Sequence, residues 1–201
     1  MSPENTRELI LDGFADRLLE SGYRGVSLRA ITNAVGIQRP SLYYHFPGGK
    51  EQIYAEVALR MIETDAARVQ EALSTQGGLR ERLRSLALLH ADDPRRVALD
   101  QRIYDATRFV SHETRTTIST RYMDGLLAPV QAMMADAIAA GELRDLDPDL
   151  LTSTFFGMAQ VVRGLPDDVA MPPDKRGGPR STADDIAAEI VELFLNGAAS
   201  A

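Results

Sequence analysis

The sequence predicts an all-α fold, and three observations predict it. Apolar residues recur at spacings of three and four in nearly every periodic stretch. Glycine and proline punctuate those stretches. No segment sustains the alternation of a half-buried strand, and no long-period internal repeat appears. With 44% hydrophobic residues in 201, the chain can build a real core, in one large domain or two small ones.

The first helix is expected from Thr6 to Ser21, burying Leu9, Ile10, Phe14, Leu18 and Leu19, with Gly22 as its stop. A short second helix follows Ser27, a good N-cap, and buries Leu28, Ile31 and Val35. Gly36 interrupts the chain. A third helix starts near Gln38 with Pro40 in its first turn, where a missing N–H costs nothing. Phe46-Pro47-Gly48-Gly49 ends it. The fourth helix, Lys50 to Leu73, turns Ile53, Tyr54, Val57, Met61 and Ile62 inward. After Gly77-Gly78 come helices over Leu79–His90 and Pro94–Val110, with a boundary near His112. Thr116–Ala140 reads as one long helix closed by Gly141. Asp147 caps a helix from Pro148 to Gly164. Met171–Thr182, rich in proline and glycine with three basic residues, reads as a surface loop. Asp184–Leu195 is the last helix, with Ile186, Ile190, Leu193 and Phe194 on one side.

Charge is distributed unevenly. The chain carries 22 Lys and Arg against 29 Asp and Glu, a net charge of -7. Yet between Ser21 and Lys50 there is no acid, while Arg24, Arg29, Arg39 and Lys50 fall inside that window. A surface cleared of negative charge in an acidic protein suggests a polyanionic partner, and nucleic acid is the first reading.

Ser27–Phe46 has the spacing of a helix-turn-helix, two short helices around a glycine that can take the positive φ of the turn. Ile31, Val35, Ile37 and Leu42 would lock the pair together. That leaves Gln38, Arg39, Pro40 and Ser41 on the exposed start of the third helix. An Arg there can fork onto guanine and a Gln can read adenine. Pro40 offers an apolar surface to a thymine methyl. Tyr43, His45 and Lys50 are donors suited to phosphate, and Ser27, Arg29 and Tyr44 complete the candidate DNA-contacting set. Tyr43, Tyr44 and Phe46 have the alternative reading of core aromatics, and Arg24 and Arg29 that of solvated surface.

The first 60 or so residues resemble the DNA-binding domain of the TetR family of transcriptional repressors. The matching residues are Phe14, Gly22-Tyr23, Ser27-Leu28, Ile31, Ala34-Val35-Gly36-Ile37, Leu42-Tyr43-Tyr44-His45-Phe46 and Lys50-Glu51. Arg39-Pro40-Ser41 is similar to the proline-containing recognition helix of the tetracycline repressor itself. Two positions depart from the family pattern. Thr32 stands where Ala is usual, and Phe46-Pro47-Gly48-Gly49-Lys50 is one residue longer than the commonest spacing. The resemblance implies a DNA-binding domain at residues 1–50, linked by helix 50–73 to a ligand-binding and dimerisation domain over 51–201.

It also implies a homodimer on a palindromic double-stranded DNA operator, released by a small-molecule inducer. In that picture Thr116–Ala140 and Asp184–Leu195 form a four-helix bundle with their symmetry mates. Tyr122, Leu126, Val130, Met133, Met134, Ile190 and Phe194 would lie at or near the contact. Candidate pocket residues are Leu86, His90, Arg102, Tyr104, Arg108, Phe109, His112, Phe155, Met158, Gln160 and Arg163. For each apolar member, ordinary core packing is the competing reading. Arg102, Arg108 and Arg163 on otherwise apolar helices would, if buried, need an anionic partner.

Other classes fit less well. No Gly-rich phosphate loop, Gly-x-Ser-x-Gly elbow or His-Glu-x-x-His occurs, and Asp92-Asp93 and Asp167-Asp168 read as solvated turns. No enzyme is expected. Cysteine is absent and only three His occur, without metal-binding spacing, so no metal or cofactor is expected. No stretch is long and apolar enough for a membrane span, and the N-terminus lacks signal-peptide character, so a cytoplasmic protein is expected. A non-specific nucleic-acid binder is disfavoured because positive charge is confined to one small window.

Overall fold

The computed structural model of the protein describes residues 3–91, 94–163 and 182–198, and every regular element among them is helical. They are α1 (Pro3–Gly25), α2 (Leu28–Val35), α3 (Arg39–His45), α4 (Gly49–Leu73), α5 (Leu79–Leu88), α6 (Pro94–Ala106), α7 (His112–Tyr122), α8 (Ala128–Ala139), α9 (Pro148–Ala159) and α10 (Ala183–Ala198). No helix among the described residues is long and apolar enough to cross a membrane. The expected loop over Met171–Thr182 and both Asp pairs lie outside the described residues, apart from Thr182.

Two compact units emerge, one from Met1–Thr64 with Asp93–Met123, the other from Asp65–Asp92 with Asp124–Ala201. Compactness therefore follows a different line from the division expected at residue 50. In the first unit α6 packs along α1. Its core joins Ile10, Leu11, Phe14, Leu18, Ile31, Leu42, Phe46, Ile53, Tyr54 and Ile103. Tyr54 is fully buried, and its hydroxyl donates to the Ile103 carbonyl at 2.8 Å. Burial pushes that phenol well above its ordinary pKa, so it stays a donor. Ion pairs rim the unit. Arg60 reaches Glu8 at 2.9 Å and Asp12 at 2.7 Å, and Arg95 reaches Asp16.

Several expectations need correction. Leu9 is 37% exposed and Leu19 only half-buried, while Leu11 is buried in their place. The stripe of α1 is rotated by part of a turn because α2 and α6 both pack on it. Helix α1 extends to Gly25 in outline, but Gly22 at φ 64° breaks its backbone geometry where the sequence places the stop. The helix expected over Pro94–Val110 ends at Ala106 and tightens into a 3₁₀ turn, Thr107–Phe109. The expected long helix over Thr116–Ala140 starts earlier, at His112 capped by Ser111, and is interrupted by a π-helical turn, Met123–Leu127. Pro129 accounts for the interruption. Lacking an N–H, it cannot bond the carbonyl one turn back, and a wider turn relieves the clash.

In the second unit α5, α8, α9 and α10 bury Leu83, Leu86, Val130, Met134, Phe155, Val191 and Phe194 together. Phe155 and Phe194 meet edge to face at 5.3 Å. Asp147 caps α9 as expected, accepting from Asp149 N–H at 2.8 Å. The last helix begins one residue before Asp184, set by a reciprocal cap between Thr182 and Asp185. Leu193, expected inward, is 66% exposed, and Val191 takes the buried position.

Thr152 is buried within this core, and its hydroxyl has no hydrogen-bond partner among the described residues. An unsatisfied buried hydroxyl costs about 1–3 kcal/mol. Thr152→Val, of the same shape, should therefore raise stability by about 1 kcal/mol in urea unfolding. A loss of stability would mean that the hydroxyl has a partner.

Candidate nucleic-acid interface

Local signals set the geometry of α2 and α3. Ser27 Oγ accepts from Ala30 N–H at 3.2 Å and caps α2. Gly36 takes φ 73°, and its N–H together with that of Ile37 returns to the Thr32 carbonyl. A side chain at Gly36 would strain that left-handed turn. Thr32 is buried, and its hydroxyl donates to the Arg29 carbonyl at 3.0 Å. The departure from the usual alanine is thus satisfied inside its own helix. Gly13 of α1 faces Val35 and Ile31, and a Cβ there would meet Val35 Cγ2 at 3.4 Å, an ordinary packing contact.

Helix α3 is amphipathic. Leu42 and, just past its end, Phe46 are fully buried. Gln38 stands at the N-cap position, but its side chain makes no capping bond, which leaves the amide outward. Gln38, Arg39 and Pro40 are exposed, and Ser41 is half-buried. Tyr44 is 80% exposed, so the core reading of that ring fails, while Phe46 takes it. Tyr43 is exposed beside it, and the half-buried His45 packs its ring edge-on to Tyr44 at 5.2 Å. Ser27 and Arg29 are exposed on α2. Among the described residues Arg24, Arg29, Arg39 and Lys50 have no carboxylate partner.

The longer connection to α4 is absorbed by Gly49 at φ 64° and by Gln52, whose Oε1 accepts from Gly48 N–H at 2.8 Å. It brings the Lys50 ammonium 4.5 Å above the Tyr23 ring. Burial pushes the Lys50 pKa down. Glu51, the next residue, fastens α4 to the start of α7. It accepts from Ser111 N–H at 2.9 Å and from the Thr114 hydroxyl at 2.7 Å. Hydrogen bonding from Ser111 and then Thr114 holds this carboxyl below its ordinary value. A lowered folded-state pKa contributes stability above the unfolded value, about 4.3, and loses it as pH falls through the folded value. The stability difference between the native protein and Glu51→Gln should therefore shrink below about pH 4 in acid unfolding. A constant difference would contradict this.

The candidate pocket residues are divided between the two units. Leu86 and Phe155 are fully buried in the core of the second unit, and Met158 packs against it. His90 is half-buried with its ring edge-on to Phe156 at 5.9 Å. Gln160 and Arg163 are exposed on the 3₁₀ turn after α9. Arg102, Tyr104, Arg108, Phe109 and His112 belong to the first unit and are exposed, Tyr104 by 72%. All three arginines are exposed, so burial does not call for an anionic partner. Val130, Met133, Met134, Ile190 and Phe194, expected near a subunit contact, are buried within the protomer's own second unit, against which Leu126 packs. Tyr122 is exposed in the first unit. Their periodicity signalled burial correctly but not the partner.

Sequence reasoning gave Tyr23 no role beyond the family match and placed Phe109 in the pocket. In the structure their rings stack at 6.3 Å, nearly parallel. No local signal joins residues so far apart in the chain.

A capped, glycine-turned helix pair, presenting an acid-free polar helix start, defines a helix-turn-helix protein. The family of bacterial regulatory proteins described as the tetR family matches residues 10–57. Over those residues the chain is similar to the tetR family. It is 35% identical over 94 residues to the HTH-type transcriptional repressor AcnR of Corynebacterium glutamicum, 47% of this chain and 45% of AcnR. It is 47% identical over 64 residues to the HTH-type transcriptional regulator LmrA of Bacillus subtilis, 31% of this chain and 34% of LmrA. The chain thus spans less than half the length of either curated relative. Its fold resembles that of the ketosteroid transcriptional regulator KstR2 of Mycobacterium tuberculosis, with TM-score 0.65, 23% identity, and 97% and 95% of the two chains covered.

Proposed function

We propose that this protein is a sequence-specific DNA-binding transcriptional regulator, acting as a homodimeric repressor on a palindromic operator. The observation that carries the reading is α3, with Gln38, Arg39 and Pro40 exposed at its start while Leu42 anchors its other side. These side-chain types match base edges of the major groove. Tyr43, His45 and Lys50 surround them with phosphate donors, and Ser27 and Arg29 add two more from α2. The relatives' regulatory role supports the same reading.

Dimerisation follows from both charge and surface. One reading head in a protein of net charge -7 has little electrostatic hold on DNA, and two heads double it. Leu150 on α9, Val161 on the turn after it and Leu193 on α10 are large apolar residues left exposed, at 57%, 61% and 66%. These exposed residues support a contact through α9 and α10, since Val130, Met133 and Met134 of α8 are buried within the protomer. Leu193→Arg should convert a sedimenting species of twice 22.0 kDa into one of 22.0 kDa and weaken operator binding. An unchanged dimer would move the contact elsewhere.

Release by a small molecule completes the proposal, with a ligand in the second unit that binds the low-affinity state better. Selection of bound duplexes from a random library, repeated with Arg39→Ala, tests the DNA reading. The target genes would then indicate the inducer's class.

A further inference from the structure

We propose that Arg102 and Arg108, outside the helix-turn-helix, are additional contacts to the DNA backbone, Arg108 on the same aromatic stack as Arg24 and Lys50 and Arg102 near Gly22 beside it in the chain. The proposal rests on the DNA-binding reading above and extends its footprint to α6 and the turn that follows.

Tyr23 and Phe109 form the stack, with rings 3° from parallel. Lys50 sits over Tyr23, while the guanidinium groups of Arg24 and Arg108 lie 5.7 and 5.5 Å from the Phe109 centroid. Arg102 Nη1 lies 3.8 Å from where a Cβ on Gly22 would stand, beside Tyr23 in the chain. Three cations thus lie on the rings, and Arg102 stands near Gly22, the residue before Tyr23. Among the described residues, two carboxylates lie against this group. Asp105 accepts from Arg108 at 3.3 Å, and Glu51 is committed to Ser111 and Thr114. Neither Arg24 nor Arg102 has a carboxylate partner among the described residues. In a chain with seven more acids than bases, such a local excess of positive charge marks a surface kept for an anion.

The chemistry selects a phosphate backbone. A guanidinium laid on a ring points its N–H donors away from the ring face, toward phosphate oxygens; Arg24 keeps its whole fork, whereas Arg108 gives Nε and Nη2 to the Asp105 carbonyl and carboxylate and offers its remaining N–H donors. Phe109 is 45% exposed, so the groups it holds stand at the surface. Stacking also restricts long side chains before binding, which reduces the entropy lost in forming each contact. The same stack includes Lys50, already assigned to phosphate, so the new contacts continue an existing row.

The test measures the salt dependence of affinity for a duplex selected with the native protein and for an unrelated duplex. Arg102→Gln and Arg108→Gln should each reduce the slope of log K against log salt by about 0.9 per bound protomer, equally on both duplexes. Arg102→Lys and Arg108→Lys should restore it. Arg80→Gln, on α5 and paired with Glu192, removes the same charge elsewhere and should leave the slope unchanged. If the native protein binds and both glutamine variants keep its slope, or lose no more than Arg80→Gln, this inference is overturned alone. A loss confined to the selected duplex also overturns it, since that signals base reading. A native protein that enriches no duplex overturns the DNA-binding reading and this one with it.

Discussion

Replacing Arg39 with alanine should remove most of the protein's discrimination between its operator and unrelated DNA, with its stability unchanged. Arg39 is the first residue of α3, exposed and without a carboxylate partner among the described residues. A bidentate arginine–guanine contact contributes about 1–3 kcal/mol of discrimination. A two-fold dimer makes it twice, so the loss is about 2–6 kcal/mol, or roughly 30-fold to 10⁴-fold in the specificity ratio. Folding should be untouched because the residue is exposed and alanine favours the helix. Competition binding against unrelated duplex, with a thermal melt of each protein, separates the two effects. An even loss of affinity on both duplexes would reassign Arg39 to phosphate.

The second large effect is structural. Leu42→Ala should destabilise the first unit by about 2–5 kcal/mol, a sizeable part of the stability of a typical domain. Leu42 is fully buried, opposite the exposed residues of a helix only seven residues long. A helix that short does not persist on its own. Its position rests on this anchor together with the Gly36 turn and Phe46. DNA binding should therefore fail at urea concentrations well below global unfolding. Leu42→Met, which conserves volume, should cost under about 1.5 kcal/mol and retain binding. Equal losses in the two variants would mean that packing at Leu42 does not position α3.

The sequence made the reading head legible because its determinants are local. Ser27 caps, Gly36 turns and Pro40 starts a helix through contacts within a few residues, and each appears in the structure where expected. The π-helical turn before Pro129 was not expected, because the apolar residues on both sides of it continue one helical pattern. Leu9 and Leu11 exchanged roles because a five-residue apolar stripe is compatible with two rotations of α1, and only the packing of α2 and α6 decides between them.

The second half was less legible for a different reason. Periodicity reports that Val130, Met134 and Phe194 are buried, but a protomer core and a subunit contact bury the same residue types. The exposed Leu150 and Leu193 become informative only once the internal core is known. Likewise, α6 looks like part of a C-terminal pocket in sequence order. Its packing on α1 places Arg102 and Tyr104 in the same unit as the reading head.

The central claim is that α3 reads base sequence as one of a two-fold pair. Selection of bound duplexes by the purified protein tests it most directly. The expected outcome is enrichment of two inverted half-sites with centres about 34–36 Å apart, or a multiple of that spacing, lost when Arg39 is alanine. No enrichment, or the same enriched sequence from Arg39→Ala, would contradict it.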